Sequence, residues 1–183
     1  RPSSEGLGTA THESRAVIFD IGSGQCKAGL SGEQVPRSVI STVVGYPKFK
    51  HVMGILSFTY PLENGLVTSW DDMEKIWRYL YEQELKLKPS EMPVMLTGAP
   101  LNPLSHREKM AEVMFESLQV PALFVTLPAL MALYASARTT GLVLDSGDGV
   151  TVTVPVYGGR YLLHSITRVD FAGRSLNCHK YHG

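Results

Sequence analysis

The chain has little cysteine: two residues in 183, Cys26 and Cys178. They are far apart, and neither has a partner at metal-ligand spacing. That excludes a disulfide framework and a zinc site built on paired cysteines, and it suits a reducing compartment. Net charge is lacking too, with 17 basic residues against 17 acidic ones. Without a basic excess, the electrostatic footprint of a nucleic-acid or anionic-membrane binder is missing. No long apolar run is present either. The longest, Val120 to Ala135, contains Pro121, Thr126 and Pro128 and falls short of the roughly 20 residues that a membrane span needs. The polar opening RPSSEGLGTATHES carries no signal-peptide pattern and reads as a disordered tail over residues 1–15.

What remains is a globular composition, 44% hydrophobic and 19% charged, enough for one or two small cores. Ala16 to Asp20 reads as a buried strand. Gly22-Ser-Gly24 turns it into a second strand near Cys26 to Leu30, and Val35 to Ile40 supplies a third. Gly54 to Tyr60 and Leu66 to Thr68 are short strand candidates. A helix is expected after Ser69, whose hydroxyl caps the first turn, with Met73, Ile76, Trp77 and Leu80 at helical spacing. Pro93 to Thr97 and Ala122 to Thr126 read as strands. Asn102-Pro103 reads as an amide cap with proline at the first helical position, and Pro128 opens another helix. Three strands follow, over Gly141–Asp145, Val150–Tyr157 and Arg160–Arg168. The pattern is α/β: a mixed sheet flanked by helices, with a second strand group that repeats the opening hairpin.

The repeat carries the chemistry. In VIFDIGSGQCKAG and again in LVLDSGDGVTV, an acidic residue ends a strand and enters a glycine-rich turn. A phosphate needs converging backbone N–H groups, and glycine lets the chain turn without a Cβ in the way. Gly22, Ser23 and Gly24 suit one wall, Gly147, Asp148 and Gly149 the other, and Lys27 offers a compact positive charge. Asp20 and Asp145, at matching points of the two hairpins, would face each other and suit Mg2+ or Ca2+, which take oxygen ligands. Each loop alone also reads as an ordinary tight hairpin whose Asp bonds its own turn.

Several stretches, SWDDMEKIW, APLNPLSHREKM, LYASARTTGLVLDSGDGV and FDIGSGQCKAG, resemble segments of the actin family, in particular a divergent actin-related protein. The likeness runs from about Ala16 to Leu176, the first half of an actin. It implies the actin-like ATPase (ribonuclease H-like) fold, in which two similar domains clamp ATP and a divalent cation between paired hairpins. By position, Gly22, Ser23, Gly24, Gln25 and Lys27 would contact phosphates from a first domain over 16–140. Gly147, Asp148, Gly149 and Val150 would do so from a second domain that starts over 141–176, with Asp20 and Asp145 at the cation. The implied cofactor is ATP or ADP with Mg2+ or Ca2+. The implied partners are actin, actin-related or actin-binding proteins, with neither nucleic acid nor membrane contacted directly. The implied location is the cytoskeleton in the cytoplasm, or the nucleus.

The chain also departs from that family. The glutamine and histidine that position actin's attacking water are replaced by Pro128 and Val152, whose side chains cannot hydrogen-bond a water. The segment between Pro47 and Gly54 is short where actin inserts a long mobile loop. After Leu176 the likeness gives way to a divergent tail, 177–183, so the second domain reads as truncated, without the part that holds adenine and ribose. Nucleotide would then bind weakly or not at all. With covering helices missing, Val150, Val152, Val154 and Val156 are expected to form a bare face. The expectation is a non-catalytic cytoskeletal or structural subunit acting through protein–protein interaction. Its rivals are an ATPase that uses Ser146 or Thr151 to position water, and a truncated product without independent function.

Overall fold

A computed structural model describes residues 15–48 and 56–180. The expected tail over 1–15 lies outside them apart from Arg15, as does most of the short segment between Pro47 and Gly54. The described residues build two main sheets, each with its own apolar core, and two small two-stranded ones; the main sheets meet at their glycine turns.

The first sheet begins with β1 (Val17–Ile21) and β2 (Gln25–Leu30), an antiparallel hairpin with Asp20 opposite Lys27. β3 (Ser38–Ser41) pairs β2; it starts later than Val35 because that valine sits in the connecting turn, largely exposed. A separate small hairpin, β4 (Val44–Pro47) with β5 (Leu56–Thr59), and a two-residue ribbon, β6 (Leu62–Glu63) with β7 (Leu66–Val67), follow. Helix α1 (Trp70–Tyr79) starts where expected. Ser69 Oγ accepts from the Asp72 N–H, Asp71 and Asp72 lie in the first turn, and one turned stripe of Met73, Ile76 and Trp77 is buried. The helix runs on through a wider π turn, Leu80–Leu85, and ends at Lys86 in the left-handed region. β8 (Val94–Thr97) then pairs β1 in parallel.

Helix α2 (Leu104–Glu112) departs from the expected start. Its cap is Pro103 and no side chain caps it. The Asn102 amide is committed elsewhere, donating to Gly65 O at 3.0 Å and accepting from Arg168 at 3.1 Å. A tertiary contact has overridden a local capping preference. β9 (Leu123–Thr126) completes the sheet in the order β3-β2-β1-β8-β9. Val17, Phe19, Cys26, Ala28 and Leu96 pack one face of it against α1 and its π turn, with Phe19 meeting Tyr81 edge to face at 5.0 Å.

Helix α3 (Pro128–Ala135) follows without a break. The second sheet holds β10 (Gly141–Ser146), β11 (Thr151–Tyr157), β12 (Arg160–Tyr161) and β13 (Thr167–Val169). The single strand expected over Arg160–Arg168 is therefore two. A 3-10 turn at Leu163–Ser165 carries the chain past β12 so that β13 can pair β11. Helix α4 (Gly173–Lys180) closes the described chain, so the divergent tail begins inside a helix.

The expected bare valine face is overturned. Val152, Val154 and Val156 are buried with Leu127, Ala129 and Leu133, because α3 leaves the first sheet and lies across the second. The face left open is the opposite one, with Leu142 and Leu144 on β10. The side chain period of two had the right alternation and the wrong side. Val154→Ala should therefore lower stability by about 2 kcal/mol, and Leu144→Ala by less than about 0.5 kcal/mol. Urea unfolding midpoints of the two variants check this, and equal losses would contradict it.

The β4–β5 hairpin is tied to α1 by one buried carboxylate. Asp72 accepts from the Tyr46 hydroxyl, from Thr59 Oγ1 at 3.1 Å and from Lys75 Nζ at 3.0 Å. Burial opposes its charge, but the three donors outweigh that and hold its pKa below the ordinary value. A carboxyl with a depressed native pKa contributes stability above its unfolded pKa, near 4, and loses it as pH falls through the native value. Asp72→Asn should cost roughly 1–3 kcal/mol at neutral pH. It should also flatten the acid limb of stability below about pH 4, which denaturant titrations of both proteins across pH will read.

Candidate functional site

The two glycine turns have the same local construction. Gly22 N–H donates to Gln25 O at 3.0 Å, and Gly147 N–H donates to Val150 O at 3.1 Å. Asp20 precedes the first turn and Asp145 the second, each at the same distance along its strand. The matched motif in the sequence is a matched structure.

The turns are brought against each other. A Cβ on Gly149 would lie 2.7 Å from Ser23 Oγ, and one on Gly24 would lie 2.9 Å from Asp148 Cβ. Glycine is needed at both points because the opposing hairpin occupies the space. Ser23 Oγ accepts from Gly65 N–H at 2.9 Å, which anchors the first turn to the β6–β7 ribbon. Below the contact lies a cleft with a cavity volume of ≈ 170 Å3. Asp20, Gly22, Ser23 and Lys27 line it from one side, and Asp145, Gly147, Asp148, Gly149 and Val150 from the other. Of the residues read from the sequence, Gly24 and Gln25 stay off the cleft wall: Gly24 faces Asp148, and Gln25 is exposed on β2 opposite Ser41.

The charges in the cleft are uneven. Asp20 is well partnered, accepting from Thr97 Oγ1 at 2.8 Å and from Lys27 Nζ at 3.0 Å. Thr97 Oγ1 in turn accepts from the Ile21 N–H, so β8 holds the end of β1 in place. Asp145 has Val152 opposite it in register, where Asp20 has Lys27. Burial raises the Asp145 pKa, the Asp20 charge raises it further, and Lys27 only partly opposes this. Two carboxylates with too little positive charge between them, and oxygen donors alone, fit a hard divalent cation. Among the described residues no group of three or more His, Cys, Asp or Glu is placed to hold a metal. A cation here would have its shell completed by water and by the phosphates it accompanies.

Two arginines that carry no local sequence signal tie the two sides of the cleft together. Arg174, on α4, donates to Asp148 Oδ2 at 2.9 Å and to Ser23 O at 3.0 Å, so it bridges both hairpins. Its guanidinium also lies 5.1 Å from the centre of the Tyr60 ring. Arg168, on β13, donates to Pro100 O, Asn102 Oδ1 and Asn64 O at 2.6–3.2 Å, which ties the second sheet to loops of the first. Their partners lie 26 to 151 residues away in the chain, beyond any local pattern. Pro128 and Val152 both line the cleft, Pro128 at the start of α3 and Val152 within the second core.

The family model described as Actin matches residues 11–182 of this chain, most of its length. The matched span covers both hairpins, the arginine ties and the cleft.

The close approach of the two turns has a direct test. Gly149→Ala should force the hairpins apart, whereas Gly147→Ala meets only Val150 O at an ordinary 3.9 Å. The first variant should cost about 1–3 kcal/mol and raise amide exchange in both turns; the second should do neither. Similar exchange in the two variants would show that the turns are not interlocked.

Proposed function

The chain belongs to the actin family, and from that premise we propose a subunit that works through protein–protein interaction rather than through catalysis. Its hairpins keep the geometry for phosphate, so ATP or ADP with Mg2+ or Ca2+ is its ligand, bound weakly. The observation that carries the reading is the cleft wall formed by Pro128 and Val152. Phosphoryl transfer to water depends on positioning the nucleophile and stabilising charge. Neither side chain donates or accepts a hydrogen bond, and these are the positions where the family places its water-orienting glutamine and histidine.

The rival ATPase would need another group to orient water. Ser146 and Thr151 bond each other at 2.8 Å, Thr151 also donates to Phe171 O at 2.7 Å, and neither lines the cleft. Both lie on the side of the second sheet that carries Leu144. This favours the non-catalytic reading. The proposed partners are actin, actin-related or actin-binding proteins, in the cytoskeleton of the cytoplasm or in the nucleus. Balanced charge favours protein over nucleic acid as the partner. No helix among the described residues is long and apolar enough to cross a membrane.

Phosphate release from ATP with Mg2+ should stay at the buffer rate at high protein concentration. Nucleotide added at millimolar levels should still shift amide exchange in Gly22–Lys27 and Gly147–Val150. Turnover abolished by Asp145→Ala would overturn the non-catalytic reading and establish the ATPase.

A further inference from the structure

The loop of the β6–β7 ribbon sets Asn64 directly before Gly65, with both residues in the left-handed region at φ 47° and 73°. Leu62 pairs Val67 and Glu63 pairs Leu66, so these two residues are the whole loop, a turn that an Asn-Gly pair favours. The chain has three asparagines, Asn64, Asn102 and Asn177, and only Asn64 precedes a glycine. That order matters chemically. The backbone nitrogen after an asparagine can attack the asparagine's own side-chain amide, and glycine has no Cβ to shield that nitrogen. Gly65 is not free to change, because its φ is positive and a Cβ there would lie 2.7 Å from Ala99 Cβ.

The peptide group that joins the two residues is held at both ends, by different parts of the molecule. Its N–H, that of Gly65, donates to Ser23 Oγ in the first glycine turn at 2.9 Å. Its carbonyl, that of Asn64, accepts from Arg168 Nη2 on β13 at 2.6 Å. The next carbonyl, that of Gly65, accepts from Asn102 Nδ2 at 3.0 Å. The second glycine turn stands against the same place, since a Cβ on Gly149 would lie 3.1 Å from Asn64 N. Asn64 itself is exposed. A reactive amide in water therefore sits beside a nitrogen that the contact between the two sheets keeps occupied.

We infer that Asn64 is a deamidation site gated by the contact between the two glycine turns. Gly65 N attacks Asn64 Cγ and closes a cyclic imide. The N–Cγ bond forms, the Cγ–Nδ2 bond breaks, and ammonia leaves with the proton from Gly65 N. Water then opens the ring, at Cγ to give aspartate or at the main-chain carbonyl to give isoaspartate. Nothing is oxidised or reduced, and water is the only co-reactant. For Gly65 N to reach Cγ the peptide group must turn, so its N–H leaves Ser23 and its carbonyl leaves Arg168. The reaction runs from the locally opened state and not from the closed one. Isoaspartate carries the main chain through Cβ, one atom longer, and no longer fits between Ser23 and Arg168. Deamidation at this site converts a transient loosening of the cleft into a lasting one. The inference depends on the interlock and not on whether ATP is hydrolysed.

The test incubates the full 183-residue protein at mildly alkaline pH, native and in urea, with samples digested at intervals. Tandem mass spectrometry reads conversion at Asn64, and labelling by an isoaspartyl methyltransferase reads the isoaspartate. In urea Asn64 should convert while Asn102, which precedes proline, stays intact. The native protein should convert roughly tenfold more slowly, because two hydrogen bonds, one of them to a guanidinium, must first break. Ser23→Ala and Arg168→Gln each remove one tether, and each should speed native conversion roughly threefold or more while leaving the rate in urea unchanged. Unchanged amide exchange across Val94–Thr97 will verify that the variants fold, and the comparison of native with urea tests the gate without them. Converted protein, separated by its added negative charge, should show faster exchange over residues 22–27 and 147–150. No conversion in urea, equal rates in the two conditions, or folded variants that convert no faster would each overturn the inference. So would converted protein whose two turns exchange as before.

Discussion

The structure turns on the contact between the two glycine turns. Ser23 and Gly149 approach so closely that neither turn tolerates an added carbon at that point, and Gly24 stands in the same relation to Asp148. A contact of this kind has little energy of its own, since glycine brings no apolar surface. Its strength comes from Arg174, which neutralises Asp148 while accepting the geometry imposed by the Ser23 carbonyl. Charge-assisted bonds to a half-buried guanidinium are stronger than neutral ones, and the planar fork fixes direction as well as distance. The cleft beneath has its shape because the turns above it are locked.

That lock also sets the electrostatics. With Arg174 turned to Asp148 and Lys27 turned to Asp20, no further cation among the described side chains lining the cleft reaches Asp145. The repeat loses its cation at the pair facing the aspartates: Lys27 in the first hairpin, Val152 in the second. The exchange has two effects that pull the same way. Valine joins the core under α3 and adds packing, and it removes a polar group from the wall that Asp145 shares. The position thus contributes to the packing of the second core.

How much of this was legible beforehand follows the range of each interaction. The hairpins, Ser69 as a cap, the α1 stripe and the placing of Asp20 and Asp145 are local features, set by neighbours within about seven residues, and the sequence displays them. The α/β class and the family resemblance come from the same short motifs. Asn102 misled because its capping preference is worth about 1 kcal/mol, less than its two tertiary bonds supply. The valine face misled for a different reason. Alternation tells which residues share a side of a strand, but which side is covered depends on where α3 crosses, and its own sequence, apolar all round, does not say. Arg168 and Arg174 were invisible because arginines on a strand and a helix ordinarily face solvent.

The crossing of α3 explains which face of the second sheet is packed. The helix begins immediately after β9, the last strand of the first sheet, yet its buried residues pack on the second. By doing so it joins the two lobes through a covalent segment that carries apolar contacts, reinforcing the arginine ties. It also leaves the sheet it came from without that cover, and Phe124 on β9 is accordingly exposed. Among the described residues the second sheet receives α3 on its valine face, while Leu142 and Leu144 on the other face stay exposed. The face that is packed in the second sheet is thus the opposite one in the repeat from the face packed in the first.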